Sequence, residues 1–237
     1  MHKFQILKKS VSRMLNFIRP RLFCGVVGAA ETATSSIRAN QPFTGRVGTS
    51  TNPRSIAPII TSNVLNNDQT ISFTCISRNA AAKAVHAAAI ANTKNIQTTA
   101  AFIVPSIAPD VKPEGGQLTK GLTPFRLTIF PDTRPQAPSA DSVRFTRRTR
   151  VSANVDHEEL ARNIHISYMK KTPMIFECMG DKAMGIVTQA IALFNERVQA
   201  HDLATFVHII SGKAADGSDV VKMEFQIVEK PKNSVSA

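Results

Sequence analysis

The chain has 237 residues, 43% of them apolar and 19% charged, with a formal net charge of +12. At roughly 150 residues per domain this predicts one or two domains with an adequate core, and the charge is too sparse for a disordered polyelectrolyte. No apolar run approaches the ~20 residues of a membrane-spanning helix. Cys24, Cys75 and Cys178 lack any CxxC spacing, which excludes a disulfide framework and a zinc finger. A pI near 10.1 calls for a polyanionic partner.

Residues 1–40 carry seven Lys/Arg against the single acid Glu31, which is half of the net charge. Phe4, Leu7, Val11, Leu15 and Ile18 recur at steps of three or four and paint one apolar stripe on a basic helix. Pro20 would end that helix, and the small residues from Gly25 to Ser36 leave room for cleavage. Residues 1–40 are therefore expected to be a mitochondrial presequence, placing the protein in the matrix. A basic arm that binds nucleic acid is the alternative. Without this stretch the chain carries about +6.

The remainder reads as an internal duplication. With a shift of 103, Ile71-Ser-Phe-Thr-Cys-Ile-Ser77 lies over Met174-Ile-Phe-Glu-Cys-Met-Gly180, and Ala80, Ala87 and Ala89 lie over Ala183, Ala190 and Ala192. Upstream, Arg46–Thr51 lies over Arg150–Val155; downstream, Phe125–Phe130 resembles Met223–Val228.

Each copy opens with a short strand (46–48; 150–152) and a polar turn. A helix follows, with Asn52 or Asp156 as N-cap and Pro53 at the first helical position of the first copy. Next comes an alternating strand (71–77; 174–179) that turns Phe73 and Cys75, or Phe176 and Cys178, to one face. An alanine-rich helix (79–92; 182–198) precedes a hairpin, 100–105 with 124–130 and 204–210 with 220–228, its turns rich in Gly, Pro and Asp. Residues 131–140 read as extended linker. The expected organisation is domain 1 at 41–131, a linker at 132–148, domain 2 at 149–230 and a polar, irregular tail at 231–237.

Ala84-Val-His-Ala-Ala-Ala-Ile-Ala91, with Val47–Ala57 before it, resembles the helix and the opening strand, turn and helix of the stage V sporulation protein S family. Cys178-Met-Gly-Asp-Lys-Ala183 and Gln189-Ala-Ile-Ala192 resemble the same strand–glycine–helix junction. That family is similar to the Alba group of nucleic-acid-binding proteins. The resemblance implies an α/β fold of two tandem Alba-like β-α-β-α-β-β domains, paired within the chain as a pseudo-dimer or between chains as a homodimer. It implies basic residues facing nucleic acid at the turn before the first helix, at the strand–helix junction and on the hairpin. By position these are Arg54, Arg78, Lys112 and Lys120 in the first copy, and Lys182 and Lys213 in the second. The second copy departs from the pattern at its first turn, where Asp156, Glu158 and Glu159 stand, and Asp181 aligns with Arg78.

Arg144, Arg147, Arg148 and Arg150 form the densest cationic run beyond residue 40 and are expected to contact phosphates without reading sequence. Lys83 reads as part of the exposed face of its helix. With no Trp and only Tyr168, and with most phenylalanines at core positions of strands, a stacking surface for single strands is not expected; structured RNA or duplex is. His86, His157, His165, His201 and His208 are scattered and form no metal spacing. Cys75 and Cys178 face inward as packing residues, and Gly115-Gly116 lacks the Lys-Ser/Thr of a phosphate-binding loop. No enzyme and no cofactor is expected. The expected function is an RNA-binding subunit of a mitochondrial ribonucleoprotein, the mitochondrial ribosome or its assembly machinery, in contact with other subunits and not with membrane. A protein-facing structural subunit and a DNA-packaging nucleoid protein are the alternatives.

Overall fold

A computed structural model describes residues 43–95, 98–110, 123–135, 147–198, 201–213 and 219–231. They belong to one unit, Asn40–Ala237. The presequence expected at 1–40 lies outside the described residues.

In the first half, β1 (Thr44–Val47) leads to α1 (Pro53–Ile60), β2 (Ile71–Cys75), α2 (Arg78–Lys94), β3 (Thr99–Ile107) and β4 (Phe125–Thr133). In the second, β5 (Arg147–Val151) leads to α3 (His157–Met169), β6 (Met174–Cys178), α4 (Gly180–Arg197), β7 (His201–Lys213) and β8 (Asp219–Pro231). The protein is thus mixed α/β, with four α-helices among the described residues and one eight-stranded mixed sheet.

Capping explains the helix starts. Asn52, Ser77 and Asp156 accept from the backbone N–H of Arg54, Ala80 and Glu158, satisfying donors that the first turn leaves open. Pro58 sits inside α1 and brings no N–H, and the chain continues beyond Ile60 as a wider, π-helical stretch, Thr61–Asn66. Gly180 has φ +77°, so the β6–α4 junction demands a residue without a side chain.

The strand order is β1-β2-β4-β3-β7-β8-β6-β5. It reads the same from either edge once each strand is replaced by its counterpart in the other half. β1/β2 and β5/β6 are parallel, and every other pair is antiparallel. The halves meet at β3 and β7, which pair only at Phe102↔Phe206 and Ile103↔Thr205. Beyond those positions the ends of α2 and α4 enter the seam. Asn92 donates to the carbonyls of Ala101 and Val207, and Asn195 to those of Leu203 and Pro105. Pro105 is tolerated in a central strand because its missing N–H would face this open part of the seam.

All four helices pack on one face of the sheet. Phe73, Cys75, Ile103, Leu127, Phe176, Cys178, Val207 and Phe225 point into the main core beneath them. Both cysteines are fully buried, and burial pushes each thiol up to about 12, as expected of packing residues. The alternate strand positions face the opposite side, which carries no helix among the described residues. There Phe102, Phe130 and Phe206 make a second buried cluster, with the Lys230 ammonium 3.2 Å from the Phe130 ring centre and the Arg134 guanidinium 5.5 Å from that of Phe206. These three rings are on the sheet face away from the main core.

Several boundaries shift. β4 runs on to Thr133, and the Arg134 N–H donates to Thr98, so the linker begins later than residue 131. Arg147 already opens β5, and β8 extends through Pro231 because β7 supplies partners that far. Lys83 is not simply exposed: it pairs with Asp181 on the other half.

Candidate nucleic-acid interface

α2 and α4 cross near their N-termini. A Cβ on Gly185 would stand 2.4 Å from Cγ and 2.9 Å from the carbonyl oxygen of Arg78, so only glycine permits this approach. One turn along, Lys83 pairs with Asp181. His86, on the same helix, feels Asp181, Lys83 and Arg54; burial is the largest influence and lowers its pKa, Asp181 opposes, and the two cations add to the lowering. Arg54 is exposed in the first turn of α1, and Lys182 is exposed beside Asp181. Arg54 and Lys83 thus act on the same histidine as Asp181 at a crossing built by both halves, with Arg78 packed against Gly185 and Lys182 exposed one residue beyond Asp181.

Of the ten candidate residues, Arg54 and Arg78 lie at this crossing, and Lys182 is exposed in the first turn of α4. Arg148 and Arg150 are not with them: both stand on the helix-free face at the edge strand β5. Arg148 is 44% exposed and stands 2.9 Å from Glu224 and 3.5 Å from Glu177, so these carboxylates balance part of its charge. Glu177 and Glu224 are directly opposite on β6 and β8, a like-charge pair that needs such a cation. Arg150 is 85% exposed, its Nε 3.6 Å from Glu177. Arg147 opens β5 and Lys213 closes β7. Lys112, Lys120 and Arg144 lie outside the described residues.

The row Arg150–Glu177–Glu224–His208 crosses the second half, and its counterpart in the first is Arg46–Thr74–Arg126–Ser106. Sequence reasoning missed both rows, because cross-strand neighbours depend on register. Arg126 is engaged by Asp110 at 2.8 Å. Among the described residues no group of three or more His, Cys, Asp or Glu could hold a metal ion, and no helix is long and apolar enough to cross a membrane.

No protein-family model matches the chain, and no curated protein matches it.

Proposed function

We propose that this chain is a non-enzymatic RNA-binding protein, a subunit of a mitochondrial ribonucleoprotein such as the mitochondrial ribosome or its assembly machinery. The observation that carries this reading is the placement of Arg54, Arg78 and Lys83 at the α2–α4 crossing, with Lys182 exposed in the first turn of α4 and Asp181 already paired to Lys83. Such a surface binds phosphates by charge and by guanidinium hydrogen bonds. Its shape, drawn from both halves, suits structured RNA more than a stacked single strand. The mitochondrial address rests on residues 1–40. Two Alba-like copies paired as a pseudo-dimer are the finer form of the fold; the recurring element order, the palindromic strand order and the matched asparagines support it.

The protein-facing reading draws on the exposed Met169, Met179 and Val221 and on the carboxylates that occupy Arg148. Binding of the full chain to structured RNA and to duplex DNA across a salt series separates the two. A direct binder weakens steeply with salt, and changing Arg54, Arg78 and Lys182 to Ala should lower affinity at least tenfold and reduce the salt slope by up to about three. Binding to neither ligand at low salt would leave only the protein-facing reading, and a preference for duplex DNA would replace RNA.

A further inference from the structure

The helix-free face holds a second feature unrelated to the helix crossing. At the carboxyl ends of the parallel pair β5 and β6, a concavity of about 310 Å³ opens between Arg150, Glu177 and Lys222, with Ser152 and Ala153 following β5 and Met179 following β6. Carboxyl ends of parallel strands are where ligands of open α/β sheets collect, and the volume is at the lower end of small-molecule pockets, about 300–1,000 Å³.

Its charges are arranged in an unusual way. The Glu177 carboxylate is 16% exposed, and the cations nearest to it stand off: Arg148 Nη1 at 3.5 Å from Oε1, Arg150 Nε at 3.6 Å and Lys222 Nζ at 3.8 Å from Oε2. These exceed the roughly 2.7–3.2 Å of a direct N–H···O bond. Both carboxylate oxygens therefore keep lone pairs for a ligand, and three cations against the two carboxylates Glu177 and Glu224 leave one positive charge for an anionic group.

We propose that this concavity is a guanine-nucleotide subsite. A carboxylate with two free oxygens matches a ligand edge with two adjacent donors, and among the four RNA bases only guanine presents that, as N1–H and N2–H. Oε2 faces N1–H and Oε1 faces the amino group. Lys222, flanking Oε2, donates to O6, the acceptor adjoining N1. The exposed Met179 offers an apolar surface to the base, and Arg150 reaches the phosphate. Adenine, cytosine and uracil each place an acceptor where this carboxylate needs a donor. The site is on the opposite face from Arg54 and Arg78, so it stands or falls independently of them.

The test is calorimetric titration of the full chain with GMP, AMP, CMP, UMP and IMP, the last lacking only the 2-amino group. GMP should bind at least tenfold tighter than AMP, CMP and UMP and measurably tighter than IMP. Glu177→Gln should erase the preference, whereas Arg150→Ala should weaken GMP and leave guanosine unchanged. The GMP–IMP comparison needs no variant and decides the matter should Glu177→Gln fail to fold. Equal binding of all five, absence of binding at millimolar nucleotide, or a preference that survives Glu177→Gln in a folded protein would overturn the proposal.

Discussion

Asn92 and Asn195 stand 103 positions apart and bond the two seam strands in mirrored fashion. Each accepts from a backbone N–H of its own half (Ala101, 2.8 Å; Leu203, 2.6 Å) and donates to that residue's carbonyl. Each also donates across the seam, to Val207 or Pro105. With 0% and 4% exposure, neither side chain has solvent as a substitute partner. Asn92→Ala strands one donor and two acceptors and is expected to cost on the order of 2–4 kcal/mol in urea denaturation. Asn92→Asp should cost more, since it places a carboxylate against two carbonyl oxygens. The same ranking is expected at Asn195. A loss under about 1 kcal/mol at both sites would mean that the seam does not depend on them.

Gly185 sets how closely the halves approach. Alanine gains about 1 kcal/mol of helix propensity over glycine in a solvent-exposed helix. Here the added methyl meets the Arg78 side chain, which can move, and the Arg78 carbonyl at 2.9 Å, which belongs to the first turn of α2. Gly185→Ala is expected to lower stability by roughly 1–3 kcal/mol in spite of propensity, and Gly185→Val by more. RNA affinity should fall with it because Arg78 is displaced. A stabilised Gly185→Ala protein would contradict the close crossing.

Asp181 tests the electrostatic reading with the opposite sign. It is paired with Lys83 at 25% and 36% side-chain exposure, so Asp181→Asn should change stability by less than about 1 kcal/mol. It removes the acid from the cationic group. Affinity for structured RNA at low salt should rise about two- to fivefold, and the salt slope should steepen by up to about one. Weaker binding would move the interface away from the crossing.

Much of this fold was legible because its signals are local. The alternation through Phe73 and Cys75 and the caps at Asn52 and Asp156 are satisfied by near neighbours, and the observed elements follow them. The seam was less legible. Asn92 and Asn195 look like ordinary polar residues at the ends of alanine-rich helices, yet they share the 103-residue shift of Cys75 and Cys178, a signal available in the sequence alone. The fate of Arg148 could not be read from its neighbours, since Glu177 and Glu224 reach it only through sheet register. The action of Arg54 and Asp181 on the same His86 likewise depends on how the two halves dock.

Acidification provides a last test, through His86 and His208. Burial lowers the pKa of both. For His86, Asp181 opposes that lowering while Lys83 and Arg54 reinforce it; for His208, Glu224 opposes it and Arg134 reinforces it. A histidine whose folded pKa lies below its unfolded value of about 6.5 takes up its proton more readily when unfolded. Its neutral form thus supports the fold above that value, and stability is lost as pH falls through about 6.5 toward the folded pKa. Urea midpoints should be flat from pH 8 to 7 and then decline, with up to one proton per histidine taken up on unfolding. His208 should dominate, because its Nδ1 is buried without a hydrogen-bond partner, which disfavours an imidazolium. Replacing both histidines with Gln should flatten the profile between pH 6.5 and 5.5, leaving only the carboxylate-driven loss at lower pH. A decline that persists unchanged in the double variant would overturn the assignment of the acid sensitivity to these two histidines.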